Sequence, residues 1–226
     1  MCGRFVQAGP VAVYASMFDA EGWRDSPAPR YNLAPTQPLL ACRERDGRRE
    51  LRPLRWGLVP HWSKGPDSRY SMINARAETV HRKPAYRGPF RSQRCLIPAE
   101  TFYEWRPGPQ GRQPYAIRMK SHEPFAFAGL WDAWQAADGS LLESCTLIVT
   151  DANALVRPIH DRMPVILPAE TWARWLDPGF RDVEALGGML RPFDADRMEA
   201  YPVSPRVNSP SHEGPELLEP LRRTDG

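Results

Sequence analysis

RCLIPAETFYEWRPGPQGRQPYAIRMKSHEPFAFAGLW, residues 94–131, is the stretch that decides the fold class. It holds four apolar runs: RCLIP (94–98), TFYEWR (101–106), PYAIRM (114–119) and PFAFAGLW (124–131). Each is short for a helix, rich in aromatic or β-branched residues, and bounded by Pro or Gly, which is the pattern of strands. GPQGRQ (108–113) predicts a hairpin connection, because glycine reaches the positive φ of tight turns without steric cost. Moving outward, PLLACR (38–43), PLRWGLV (53–59), CTLIVT (145–150) and MPVIL (163–167) repeat the pattern, and AADGS (136–140) predicts a second hairpin. The 25 prolines and 16 glycines are spread through the chain and cut it into short pieces joined by turns. Helices are expected at 10–20, where Val11, Tyr14 and Phe18 share a face behind Pro10, at 168–176 behind Pro168, and at 182–190. The reading is an α+β fold, mainly antiparallel β with a barrel-like sheet core and a few peripheral helices. A single domain is expected over 1–208, followed by a C-terminal tail at 209–226.

Hydrophobic residues make up 42% of the 226 and charged residues 25%, the balance of a globular protein with a real core. No apolar run approaches the roughly 18 residues of a membrane span. The opening MCGRFVQAGP lacks the apolar stretch of a secretory leader, so a cytoplasmic protein is expected, nucleoid-associated when it acts on DNA. Cys2, Cys42, Cys95 and Cys145 form no C-x-x-C pair; the last three sit in apolar runs and read as core residues. Scattered thiols and five histidines lack metal-ligand spacing, so neither a metal nor another cofactor is expected, and nothing points beyond a monomer.

The net charge of +3 conceals an asymmetry. Between 69 and 94 stand Arg69, Arg76, Arg82, Lys83, Arg87, Arg91 and Arg94 against Glu78 alone, whereas 95–226 is net acidic. Trp56, Trp62, Tyr70, Tyr86 and Phe90 lie in or near that basic segment. Arginine with interleaved aromatics is how single-stranded nucleic acid is held, although such rings equally build cores.

Four residues could carry chemistry. Cys2 becomes the N-terminal residue once Met1 is removed, and an amine and a thiol on one residue can together trap an aldehyde. The amine, with an ordinary pKa of roughly 7.7–8.0, forms a Schiff base, and the thiol closes a thiazolidine ring on the same carbon. His160, in RPIHDRMPVIL, is a candidate acid or base near neutral pH. Glu104, ringed by Tyr103 and Trp105, is placed for desolvation that would make it a proton shuttle. Asn74, in MINARAET, reads on its own as a turn or cap residue.

A series of motifs runs in order along nearly the whole chain: MCGRF (1–5), RYNLAPTQ (30–37), RWGLVPHW (55–62), INARAET (73–79), RCLIPAETFYEW (94–105), FAGLWDAW (127–134), TLIVTDAN (146–153), IHDRMPVIL (159–167) and PVSPRVN (202–208). Together they resemble the SOS response-associated peptidase (SRAP) family of abasic-site DNA–protein crosslinking proteins; Thr101 stands where a Gly is common. The resemblance implies that Cys2 crosslinks abasic sites in single-stranded DNA, with Asn74, Glu104 and His160 completing the site, and that the protein shields the lesion in the DNA damage response. In this picture His160 assists ring opening of the sugar, Glu104 exchanges protons with the Cys2 amine, and Asn74 holds the amine or a sugar hydroxyl. Arg4 and Arg76 would grip phosphates, Trp62 would stack on a base, and Thr150 would touch the DNA backbone. The family name also implies an autoproteolytic peptidase step that exposes Cys2, beside the lyase-type Schiff-base chemistry. Two other readings stand beside this one: an N-terminal-Cys amidohydrolase of the glutamine-dependent kind, and a non-covalent single-stranded DNA binding module.

Overall fold

A computed structural model describes residues 2–25, 27–66, 72–109 and 111–221. Five of its strands close into a ring. They are β3 (Pro38–Arg45), β4 (Arg48–Trp56), β6 (Arg94–Ala99), β9 (Phe125–Gln135) and β10 (Leu141–Asp151). β3 pairs antiparallel with β4 and β6, β6 with β9, and β9 with β10; β10 then returns to β4 in parallel, Ser144 opposite Arg55. Closure leaves these five strands without a free edge. Two short strands extend β10: β5 (Asn74–Arg76) in parallel and β11 (Arg162–Pro164) antiparallel.

A second sheet, in the order β12, β8, β7, β1, β2, comprises β1 (Phe5–Gln7), β2 (Arg30–Leu33), β7 (Thr101–Gly108), β8 (Gly111–Met119) and β12 (Met198–Pro202). The expected α+β architecture, mainly antiparallel strands with a barrel and few helices, is what the chain adopts. The β7–β8 hairpin falls at 108–111, and AADGS joins β9 to β10 with Gly139 at φ +85°. Four short strands, β1, β2, β5 and β12, are not legible in sequence, because three to five residues give too little alternation to register.

Alternation of side chains across each strand sorts the core into layers. Leu39, Ala41, Leu54, Trp56, Cys95, Ile97, Phe127, Cys145 and Leu147 pack with Phe5, Phe102 and Ile117 of the second sheet. Leu40, Cys42, Leu51, Leu96, Ala128 and Ile148 point the other way, under the helices α1 (Val11–Phe18), α2 (Pro84–Ser92), α3 (Trp172–Leu176) and α4 (Val183–Gly188). Strands buried on both faces read as unbroken apolar runs, which explains CLI and TLIVT. Gly129 is needed inside the ring: a Cβ there would lie 2.8 Å from Cys95 Sγ and 2.9 Å from Ile97 Cδ1.

The basic, aromatic segment looks different in three dimensions. Helix α2 lies within the basic, aromatic segment and escapes sequence reading, because Gly88 and the internal Pro89 lower helix propensity. Trp56 and Phe90 are fully buried, so neither ring is open to a nucleic acid; Tyr70 and Arg69 lie outside the described residues. Arg94 is also interior. Its guanidinium donates to the carbonyls of Trp175 (2.6 Å), Phe90 (2.9 Å), Phe180 (2.9 Å) and Asp177, stapling α3 and its following turn to the barrel. Burial pulls its pKa down to about 10. Arg94→Met keeps the volume and strands four carbonyls; we expect it to cost about 3 kcal/mol or more by denaturant titration.

Residues 209–221, read from sequence as a loose tail, dock on the outer face of the second sheet. Leu217 is fully buried with Val6, Tyr103, Val203 and Val207, and Asn32 Nδ2 donates to the Ser209 (2.9 Å) and His212 (3.0 Å) carbonyls. The sequence signal is weak because one buried leucine anchors the segment among Pro, Gly and Ser. Residues 222–226 lie outside the described part.

Candidate active site

The second residue is held in place from below. Phe5 begins β1 and packs edge-on against Trp56 and Phe127, with ring centroids 5.1 and 5.6 Å apart. On one side the Tyr103 amide donates to the Arg4 carbonyl (3.0 Å), so β7 runs beside the N-terminal segment and brings Glu104 next to it. On the other side Trp56 Nε1 donates to the Ile73 carbonyl (3.0 Å), fixing the entry to β5. From β5, Asn74 Nδ2 reaches the carbonyl of Cys2 at 2.8 Å. Parallel pairing of β5 with β10, Asn74 opposite Leu147, holds that amide in register.

Cys2 is fully buried, with Sγ 3.8 Å from the Arg4 carbonyl. Burial, and then the Glu104 carboxylate, push its pKa up, so the sulfur is a thiol and not a standing thiolate. Glu104 is 1% exposed, and that burial lifts its pKa to about 7; the charge of the chain's N-terminus opposes the rise and Asp161 adds to it. A carboxyl balanced at neutral pH can both take and give a proton.

His160 precedes β11, whose Arg162 pairs with Asp151 of β10. The turn before β11 is fixed by the Ala152 amide donating to the Asp161 carbonyl (3.0 Å). Two groups compete for the imidazole Nδ1: the Arg162 amide at 2.9 Å, which requires a lone pair, and Asp161 Oδ1 at 2.8 Å, which requires a proton there. Burial, seconded by the charge of the N-terminus, lowers the pKa of His160 against the opposing pull of Asp161. The Arg162 amide donates to Nδ1, and burial favours the neutral ring. The charge of the N-terminus lowers the pKa of both Glu104 and His160.

Asn74 Oδ1 is buried and has no hydrogen-bond partner among the described residues. An orphaned acceptor beside the Cys2 carbonyl is chemically suited to a donor brought by a ligand, such as an amine or a sugar hydroxyl.

The remaining sequence candidates divide. Arg76 is exposed at the end of β5, and Trp62 is 58% exposed. Arg4 is half-buried and committed: its guanidinium donates to Asn32 Oδ1 (3.0 Å) and to the carbonyls of Val207 (2.7 Å) and Asn208 (3.1 Å). Thr150 is buried, its hydroxyl 3.4 Å from the Leu190 carbonyl. Sequence reading passes over two supporting side chains. Asn32 ties the turn at 205–209 to Arg4, and Tyr86, noted only for its ring, donates its hydroxyl to the Asn74 carbonyl (3.4 Å). Asn32 stands inside RYNLAPTQ, and an Asn within a strand motif is the available signal.

The family model of the SOS response associated peptidase (SRAP) matches residues 1–210. The chain belongs to the SRAP family. Among its SRAP relatives, the abasic site processing protein YoqW of Bacillus subtilis is 45% identical over 97% of this chain and 99% of its own length. The abasic site processing protein HMCES of Mus musculus is 32% identical over 88% of this chain and 67% of its own. A crystal structure of a Bacteroides thetaiotaomicron protein superposes with a TM-score of 0.87 at 26% identity, covering 98% of this chain and all of that one. The crystal structure of a phage-related protein of Bordetella bronchiseptica gives 0.72 at 31% identity, over 89% of this chain and 94% of that one. The SRAP model spans the N-terminal segment, β5, β7 and the turn before β11, so Cys2, Asn74, Glu104 and His160 all lie within the family's domain.

Proposed function

We propose that this protein processes abasic sites in single-stranded DNA by forming a covalent thiazolidine with Cys2, exposed by removal of Met1. The observation that carries the reading is the 2.8 Å hydrogen bond from Asn74 to the Cys2 carbonyl, which pins the second residue beside a buried Glu104 that titrates at about 7. The names of the relatives supply the lesion, and the aminothiol supplies the chemistry.

The steps follow from the groups present. The ring-opened abasic sugar presents an aldehyde; ring opening puts a proton on the ring oxygen and takes one from the anomeric hydroxyl, and His160 can give the first as imidazolium and receive the second as the neutral ring. The neutral Cys2 amine adds to the aldehyde carbon, and Glu104 takes the proton that the nitrogen sheds. Glu104 returns that proton to the new oxygen to complete the carbinolamine, and a second proton, from solvent, lets the hydroxyl leave as water and leaves an iminium. The Cys2 sulfur then adds to the same carbon, the thiol proton leaves, and the nitrogen keeps its lone pair in the ring. One water is lost overall and nothing is oxidised. A thiol whose pKa burial raises is a poor first nucleophile, so the amine leads and the sulfur follows. Holding both on one residue gives the second step a high effective concentration.

Arg76 and Trp62 are the exposed groups suited to hold a flanking strand, by phosphate contact and by stacking. Removal of Met1 within the same site, with Glu104 and His160 moving the protons, is the peptidase half of the proposal; a cytoplasmic monomer is the form we expect. Mixing the protein with an abasic single strand should give a band shift that survives denaturant, while the same strand with an intact base should give none. A shift of equal strength with the intact strand, or none with the abasic one, would rule the covalent reading out.

A further inference from the structure

PVSPRVN (202–208), the last of the ordered motifs, supplies none of the four residues at the site, yet it is bonded to both segments that carry them. Its second half is a tight turn, Pro205–Asn208, with Val207 fully buried against Val6 of β1 and Tyr103 of β7. On one side the Arg4 guanidinium donates to the carbonyls of Val207 (2.7 Å) and Asn208 (3.1 Å). On the other, Trp105 Nε1 donates to Asn208 Oδ1 (2.7 Å). Arg4 stands two residues from Cys2, and Trp105 directly follows Glu104. One turn therefore holds the segment that carries the nucleophile and the strand that carries the acid.

The turn is itself fixed by Asn32, a fully buried residue of β2. Its side chain is used at both ends. Oδ1 accepts from Arg4 Nη1 (3.0 Å), while Nδ2 serves the carbonyls of Val207 (3.3 Å), Ser209 (2.9 Å) and His212 (3.0 Å). A guanidinium needs an acceptor and a carbonyl needs a donor, so a carboxamide in this orientation answers both. An apolar side chain would strand the carbonyls, and a carboxylate would repel them.

Arg4 passes this hold on to the site. Its carbonyl accepts from the Tyr103 amide of β7 at 3.0 Å, and the Cys2 sulfur reaches the same oxygen at 3.8 Å. Where Arg4 is held, the acceptor of the Cys2 thiol is held with it.

We propose that the 205–208 turn is a clamp that sets Cys2 against Glu104, with Asn32 as the positioning residue and Arg4 as the arm that transmits its hold. The inference rests on the covalent reading of the site and deepens it. It makes the C-terminal part of the domain a working part of the catalytic scaffold, acting through Arg4 and Trp105. A misplacement of about 1 Å can cost ~10²-fold in rate, so an opened clamp should show in the chemical step and not in binding.

The test separates the two. Single-turnover adduct formation is followed on denaturing gels at saturating abasic single strand, and affinity is read by anisotropy on the same strand with an intact base. Asn32→Leu, close in volume and apolar, removes both ends of the contact; Arg4→Lys keeps the positive charge but not the fork. Each should slow the saturating rate about ten- to a hundredfold and leave the intact-strand affinity unchanged. The double variant should be no slower than the slower single one, because both open the same clamp. Leu186→Ala, packed under the helices, lowers stability and leaves the clamp alone, so it should keep the wild-type rate below its melting temperature. Should Asn32→Leu fail to fold, Arg4→Lys, on a half-buried residue whose charge is kept, decides alone. A wild-type saturating rate in Arg4→Lys, rate losses that multiply in the double variant, or an equal loss in Leu186→Ala overturns the inference. If the wild type forms no adduct, the functional reading falls first and this one with it.

Discussion

Cys2→Ala is expected to leave no denaturant-stable adduct with an abasic strand, yet to be captured on that strand by borohydride. Alanine keeps a small second residue and, once Met1 is gone, a free amine, so addition to the aldehyde and loss of water still proceed. What is missing is the sulfur that closes the ring. The Schiff base then hydrolyses on denaturation unless it is reduced. The thiol is buried and its pKa is raised, which argues against sulfur acting first and predicts this separation of steps. If Cys2→Ala crosslinked as stably as the wild type, the aminothiol chemistry would be wrong. If borohydride captured the wild type but not Cys2→Ala, the amine would not be the leading nucleophile.

Glu104→Gln should pull activity and stability in opposite directions. Positioned proton transfer typically contributes a factor of about 10²–10⁴, and crosslinking should slow by that order. Burial raises the carboxyl to about 7 in the folded chain, against about 4.3 for an ordinary glutamate. Between those values the folded state holds a proton that the unfolded state has released. The contribution of Glu104 to stability is therefore most favourable below about pH 4.3 and is lost as pH rises toward 7. At pH 8 the wild type carries a buried carboxylate and the variant a neutral amide of the same shape. We expect Glu104→Gln to be more stable at pH 8 by about 1–3 kcal/mol, with most of that margin gone at pH 5. Thermal melts at the two values read it directly. A margin that does not depend on pH would show that Glu104 does not titrate as described. A site that is costly to keep ionised and slower without its acid is what a catalytic carboxyl looks like in stability terms.

The fold is legible wherever a strand is long enough to alternate. β3, β6 and β7 each carry six or more residues and read close to their bounds, whereas the runs read for β8, β9 and β10 fall three to four residues short at one end and that for β4 begins at 53 instead of 48. β5 has three residues and does not, although it carries Asn74; its position depends on parallel pairing with β10, a contact between distant parts of the chain. Asn74 is therefore legible only through the motif around it. The aromatics beside Glu104 suggest a desolvated carboxyl, and Glu104 is buried. The basic segment is the least faithful signal. A charge count cannot distinguish Arg76, which is exposed, from Arg94, which is buried under four carbonyls, because the difference lies in what α3 brings over the barrel. The same limit applies to Trp56 and Trp62, six residues apart in one motif, one fully buried and one 58% exposed.

In the proposed reaction Cys2, as a processed N-terminus, bonds to the sugar. Intact and peptide-level mass spectrometry of the wild type after incubation with an abasic oligonucleotide tests it most directly. The expected adduct equals the protein without Met1 plus the oligonucleotide less one water, with the DNA mass confined to the peptide that begins at Cys2. An adduct that retains Met1, or one mapped to any other residue, would contradict it.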